Sequence, residues 1–236
     1  MNISTQYLDG QYLDKNPTFH VEDSPWKAGQ ITRILKKNSL RPSSIAEIGC
    51  GAGEILVQLL PQFQQSSFFG YELSPQAYEL CKKRANEKIH FFNSDLFEEP
   101  DKLFDLLLCI DVIEHIEDYF TFLRRLKQHG KAFVFHIPLD MNVQMVFRSA
   151  PIIGVRKAVG HLHYFSKDTA LAALADCGYE VMDWFYTPHG TDRPKSAKAK
   201  LLNLPRRVLS FFNADLTARV LGGYSLLVYA RPVSDP

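Results

Sequence analysis

The sequence predicts an α/β domain, a Rossmann-like, mainly parallel seven-stranded sheet with helices on both faces, and three observations carry that expectation. Short apolar runs bounded by turn residues alternate with longer segments of helical period from about residue 43 to residue 187. A strand, a glycine-rich turn and a helix start follow one another directly across residues 46–54, AEIGCGAGE. The chain has 236 residues, 46% of them hydrophobic and 22% charged, which suits one domain with a core of its own.

Strands are expected near residues 44–49, 67–72, 89–93, 104–110 and 131–137, with a sixth near 180–187 and a seventh near 223–231. Helices fit the segments 53–64, 75–87, 119–128 and 167–177, and one more precedes the first strand near 26–37. Ser74 and Ser166 stand where helix caps belong, Pro75 where the first turn accepts a residue without an N–H, and Gly178 where a helix stops. Residues 1–42, 139–165 and 188–222 fall outside the alternation. We read 1–236 as a single domain in which 1–42 form a helical lid segment and the two later stretches are insertions forming a substrate cap. Loops at the carboxyl ends of parallel strands build the binding crevice of such sheets.

The turn carrying Gly49, Gly51 and Gly53 brings backbone N–H groups close to a ligand, because glycine removes the blocking side chain and tolerates positive φ. Dinucleotide sites favour GxGxxG, but the spacing here is GxGxG. Glu47 and Glu54 flank the turn, and two carboxylates there repel a pyrophosphate and suit a ligand with an amino group and a sulfonium. Glu72 closes the second strand in GYELS, where a carboxylate accepts from ribose hydroxyls of either cofactor class. Asp95 ends the third strand in NSDL, placed to accept from an adenine amine or to serve as a turn cap.

At these motifs, together with FDLLLCIDVIEHIED (104–118) and GHLHYFSKDTALAALADCGYEV (160–181), the chain resembles the class I methyltransferases that use S-adenosylmethionine, in particular the small-molecule, ubiquinone-type O-methyltransferase branch. The resemblance spans about residues 43–187. It implies strand order 3-2-1-4-5-7-6 with strand seven antiparallel. It implies that Gly49, Cys50, Gly51 and Gly53 border the cofactor with Glu47, that Glu72 and Leu73 hold the ribose side, and that Asp95 with Leu96 frames the adenine. Ile110, at the end of strand four beside Cys109 and Asp111, is implied to pass the methionine part.

Methyl transfer needs a general base only when the acceptor keeps its proton at neutral pH, as a hydroxyl does, and histidine is the usual supplier. The candidates are His115, in the EH pair after strand four, and His161 and His163 before the last helix of the core. Each also reads as a structural hydrogen-bonding residue. His161 and His163, two apart on extended chain, share a face, yet no third ligand at a metal-binding spacing accompanies them, so no metal is expected. Tyr7, Tyr12, Phe19, Trp26 and Lys27 lie ahead of strand one, either as a lid over the site or as anchors of a packed helix.

Net charge is only +1, which gives no global case for nucleic acid. Residues 192–219 hold seven basic and two acidic side chains interleaved with apolar ones, suited to weak membrane-surface contact or to a solvated cap. Four dispersed cysteines read as reduced core thiols, and with no leader-like or spanning stretch a cytoplasmic address is expected. The expected function is S-adenosylmethionine-dependent methyl transfer to a small molecule, at oxygen. A nicotinamide-dependent oxidoreductase and a non-catalytic cofactor-binding module of this fold are the alternatives.

Overall fold

The structure, a computed structural model, describes Thr18, residues 21–188 and residues 203–233. Tyr7, Tyr12, Phe19 and the first part of the basic segment, 192–202, lie outside the described residues. Seven strands form one sheet: β1 (Ser44–Ile48), β2 (Ser67–Tyr71), β3 (Ile89–Phe92), β4 (Leu106–Ile110), β5 (Phe133–Pro138), β6 (Tyr179–Thr187) and β7 (Ser225–Pro232). Their order is β3-β2-β1-β4-β5-β7-β6, as the resemblance implies. The first five pair in parallel, with Ile45 opposite both Phe68 and Leu106. β7 runs antiparallel to β5 and to β6.

The central strands are apolar throughout because both faces of the sheet are covered, so no polar side is needed. In β4, LLLCI, every residue is buried. Leu107 and Cys109 join the core under α4 (Tyr119–Leu126) and α7 (Lys167–Asp176), with Leu123 and Leu174. Leu106, Leu108 and Ile110 join the opposite core under α1 (Ser24–Lys37) and α2 (Glu54–Leu59), with Ile31 and Leu56.

Helix boundaries follow local chemistry. Ser74 caps α3 (Pro75–Cys81) by accepting from the Ala77 N–H, and Ser166 caps α7 in a reciprocal box with Thr169. Gly178, at φ +81°, follows the end of α7. α2 stops at Leu59 instead of reaching residue 64, since Pro61 has no N–H to donate to Val57; Leu60 still has helical backbone angles and donates to Leu56. α3 stops at Cys81 and tightens into a single 3-10 turn, Lys82–Arg84. Strand four starts at Leu106, Phe104 making only an isolated bridge to Gly130.

The insertion after β5 carries α5 (Val143–Arg148) and α6 (Ala150–Val159), and the described part of the late insertion carries α8 (Leu204–Phe212) and α9 (Ala214–Leu221). The two insertions abut: Asn142, which caps α5, sits so close to Gly222 that a Cβ there would fall 2.3 Å from its amide nitrogen. All four cysteines are free and buried. Among the described residues no helix is long and apolar enough to cross a membrane.

Candidate active site

The carboxyl ends of β1 to β4 open into one cavity of about 420 Å³. Glu47, Gly49, Cys50, Gly51, Glu72, Leu73, Asp95, Leu96 and Ile110 all line it. Gly53 does not; it sits behind the turn as the N-cap of α2, where a Cβ would fall 2.5 Å from the Phe91 ring.

The glycine turn is held by its own chain. Gly49 and Cys50 donate to the Tyr71 carbonyl at 2.8 and 3.1 Å, Gly53 to the Cys50 carbonyl at 2.8 Å, and Gly51 to Glu72 Oε2 at 2.7 Å. The expectation that these N–H groups face a ligand is corrected, because all four are spent within the protein. What the glycines supply is backbone shape: φ is +66°, +53° and +76° at Gly49, Gly51 and Gly53, a region that costs a residue with a Cβ about 1 kcal/mol or more.

Glu72 takes N–H donors on both oxygens, Gly51 on Oε2 and Ser74 on Oε1 at 2.8 Å. Burial pushes its carboxyl up and these backbone donors pull it back, with burial the stronger. Each oxygen keeps a second lone pair for a ligand hydroxyl. Asp95 caps a 3-10 turn, Leu96–Glu98, by accepting from the Phe97 N–H at 3.0 Å, so the modest structural role is present alongside its place in the cavity wall. Glu54 is neutralised by Arg84 at 2.8 Å and does not shape the field as the sequence suggested. Glu47 is buried, its Oε2 has no hydrogen-bond partner, and burial holds its carboxyl well above the usual range, so a cation arriving beside it would favour its ionised form.

The other half of the cavity belongs to β4, β5 and the insertion after them. Asp111 follows β4 with φ +54°, unusual for a residue with a side chain. It accepts from Lys27 of α1 at 2.7 Å and contacts His136 Nδ1 of β5 at 2.5 Å. Burial works against its charge, yet His136 and Lys27 outweigh burial and hold its carboxyl below the usual range. Burial likewise opposes the Lys27 charge, and Asp111 overcomes it. This ties α1 to the cavity wall, with the Trp26 ring set edge-on to His136.

Glu114, His115 and His161 converge beside that network. The ligand atoms of the three lie within 4.8 Å of one another. His115 Nδ1 meets the Gly160 carbonyl at 3.2 Å and His161 Nδ1 meets Asp140 Oδ2 at 2.6 Å. Both acceptors fix Nδ1 as the protonated nitrogen, leaving each Nε2 with a lone pair. Those Nε2 atoms stand 3.8 and 3.9 Å from Glu114 Oε1. Glu114 is buried and neither of its oxygens has a hydrogen-bond partner. Burial, then the Asp111 charge, hold its carboxyl well above the usual range. Burial and the neighbouring His161 lower His115 to about 4, so it is neutral at physiological pH.

His163 lies outside the cavity wall. The Leu162 and His163 N–H groups both bond the Glu114 carbonyl, at 2.7 and 3.1 Å, and the chain bends there instead of running extended. His163 therefore parts from His161, packs edge-on to Tyr119 and reaches the Glu117 carbonyl. The sequence spacing pairs His161 with His163 and predicts no metal; the group that does converge is Glu114, His115 and His161, and Glu114 lies 47 residues before His161. Sequence reasoning also missed Lys27, His136 and Asp140 as a group; the available signal was a histidine inside the otherwise apolar β5, FVFHIP.

Residues 26–183 match a family model described as a methyltransferase domain. The ubiquinone biosynthesis O-methyltransferase of Rickettsia typhi is 30% identical over 99 residues, which cover 41% of this chain and 40% of that protein. The match thus spans less than half the length of that relative. Among solved structures, the N-methyltransferase NodS from Bradyrhizobium japonicum, in complex with S-adenosylhomocysteine, aligns with TM-score 0.57 at 17% identity, covering 88% of this chain and 86% of that one. The cyclopropane synthase MmaA2 from Mycobacterium tuberculosis aligns with TM-score 0.59 at 14% identity, covering 86% and 84%. These structural likenesses bear on the fold alone.

Proposed function

This chain belongs to the class I methyltransferase-domain family, and from that premise we propose that it transfers a methyl group from S-adenosylmethionine to an oxygen of a small-molecule acceptor. The observation that carries the reading is the buried Glu47 carboxylate with a partnerless oxygen, in the same cavity wall as Glu72. A cationic ligand with an amino group matches that wall better than a pyrophosphate does, since the Gly49, Cys50, Gly51 and Gly53 N–H groups are spent within the protein. This argues against the nicotinamide alternative.

When bound, the cofactor supplies a methyl group already activated on a sulfonium. Glu47 would meet its ammonium, and Glu72 would accept from its ribose hydroxyls on the lone pairs that Gly51 and Ser74 leave. Leu73, Leu96 and Ile110 provide apolar walls, with Asp95 at the adenine side. His161 would act as general base: its Nε2 would take the acceptor's hydroxyl proton as the methyl passes to oxygen and its bond to sulfur breaks, and Asp140 on Nδ1 would stabilise the resulting imidazolium. His115, held neutral, stands beside it as a hydrogen-bonding wall. The α1 helix, through Ser24 and Lys27, and the insertion after β5, through Val159 and His161, would serve as lid and cap around the acceptor, keeping water from the methyl. The name of the Rickettsia relative, an O-methyltransferase, supports oxygen as the acceptor atom.

A second reading rests on Glu114. Its unpartnered carboxyl and the two imidazoles, with ligand atoms within 4.8 Å of one another, form a set suited to a divalent cation, with Asp140 and the Gly160 carbonyl as outer partners of the two imidazoles. A cation there would lower the acceptor's pKa and replace the base.

Calorimetry with S-adenosylhomocysteine, followed by transfer of labelled methyl from S-adenosylmethionine to a panel of hydroxylated acceptors, tests the proposal. Cofactor binding with product labelled on oxygen is expected. No binding by the folded protein overturns it, and binding without transfer to any acceptor favours the non-catalytic module. Loss of transfer on chelation, restored by zinc or manganese, selects the metal reading over the histidine base.

A further inference from the structure

We propose that the face built by the two insertions docks on a membrane surface carrying anionic lipid headgroups. Among the described residues, ten of the fourteen large apolar side chains that stand exposed come from α5, α6, α8 and α9. Phe147, Phe211 and Phe212 are 88%, 87% and 77% exposed, joined by Val143, Val146 and Leu216. Neither α5 nor α6 has a single buried residue, although both are rich in apolar side chains. Helices of that composition fold stably when their apolar side has something to lie against.

Charge identifies the occupant. The four helices carry Arg148, Arg156, Lys157, Arg206, Arg207 and Arg219 against one acidic residue, Asp215. Arg206 donates to the Leu221 carbonyl and to Asn203, and Arg219 pairs with Asp215 and Asp168, so the charge offered to a headgroup comes first from Arg148, Arg156 and Lys157. Exposed aromatic side chains set among arginines are the pattern of an interfacial helix: rings enter the headgroup boundary and guanidinium groups meet lipid phosphates. A second copy of the chain fits poorly, because a two-fold contact brings Arg148, Arg156 and Lys157 towards arginines and lysines of the same face. The segment preceding α8 fits no better, since it contributes Arg193, Lys195, Lys198 and Lys200 with only Asp192.

The face adjoins the cavity. Val159, the last residue of α6, lines the cavity, and Gly160 then leads directly to His161. Docking through α5 and α6 therefore sets the mouth of the site beside the lipid surface. The inference stands apart from the methyl-transfer reading, and its test measures binding alone.

The test is co-sedimentation of the full chain with vesicles of phosphatidylcholine, alone or mixed with phosphatidylglycerol, at low and high salt. The expected result is partition onto the mixed vesicles, weak partition onto pure phosphatidylcholine, and release by salt. The triple variant Phe147→Ser/Phe211→Ser/Phe212→Ser and, separately, Arg148→Glu/Arg156→Glu/Lys157→Glu should each lose about tenfold or more in partition. All six side chains are exposed, so the melting temperature should hold, and melting curves verify it. Failure of the unaltered protein to partition, or equal partition by folded variants, overturns the proposal. A concentration-dependent dimer in sedimentation velocity that the phenylalanine variant abolishes, without vesicle binding, also overturns it and assigns the face to a second copy.

Discussion

The two halves of the cavity are built from the same sheet but settle their polar groups differently. Around β1 to β3 the chain satisfies most of its polar groups: Gly49, Cys50, Gly51 and Gly53 donate inward, Glu72 takes two N–H groups, and Asp95 caps a turn, with Glu47 Oε2 left for the ligand. Around β4, β5 and the first insertion, charge is buried and only partly paired, with Asp111 at positive φ, Glu114 without partners and two histidines aimed at it. A binding half must hold one shape before and after its ligand arrives, whereas a reacting half must keep donors and acceptors in reserve. Poised groups of this kind cost stability that the surrounding core offsets, which is why strain and orphaned carboxylates collect at sites of chemistry.

Substitutions separate the halves. The largest expected effect is on turnover: His161→Asn removes the proposed base and should lower kcat about 100- to 1,000-fold, with affinity for S-adenosylhomocysteine within a factor of about two. Steady-state kinetics beside calorimetry measures both, and an unchanged kcat would remove His161 from the mechanism. Next comes Gly53→Val, which puts a branched side chain at φ +76° against Phe91 and Cys81. It should destabilise the fold by about 3 kcal/mol in urea unfolding, the cost falling on the rigid half. A small effect would mean the turn is looser than its hydrogen bonds indicate.

A smaller effect is expected with pH. His115 has a folded pKa of about 4, below its ordinary value of 6.5. Between those values the unfolded chain binds the proton and the folded one does not, so folding stability falls as pH drops from about 6.5 towards 4 and is fully recovered above 6.5. His115→Asn should flatten that slope in unfolding curves taken across the window. Persistence of the full slope would place its origin at another group.

The halves also differ in how far sequence reveals them. The glycine turn and the positions of Glu72 and Asp95 follow from local patterns, because each sits at the end of its own strand, while the strand order comes from the family resemblance that those motifs carry. The reacting half joins residues from distant elements, Lys27 of α1, Asp111 after β4, His136 of β5 and Asp140 with His161 of the insertion, and no local spacing records their meeting. The same limit explains the His161–His163 pair, where alternation predicts a shared face and the bonds to the Glu114 carbonyl turn the chain. Glu54 misled for a related reason, since its partner Arg84 lies 30 residues away.

The central claim, that the largely self-satisfied half binds the cofactor through Glu72, is tested most directly by titrating S-adenosylhomocysteine into the native protein and into Glu72→Ala by calorimetry. The account expects the native chain to bind and the variant, if its melting curve shows it folded, to bind on the order of 10- to 100-fold more weakly, because two hydroxyl acceptors are lost together. Equal affinity in the two proteins, or no binding by the native chain, would contradict it.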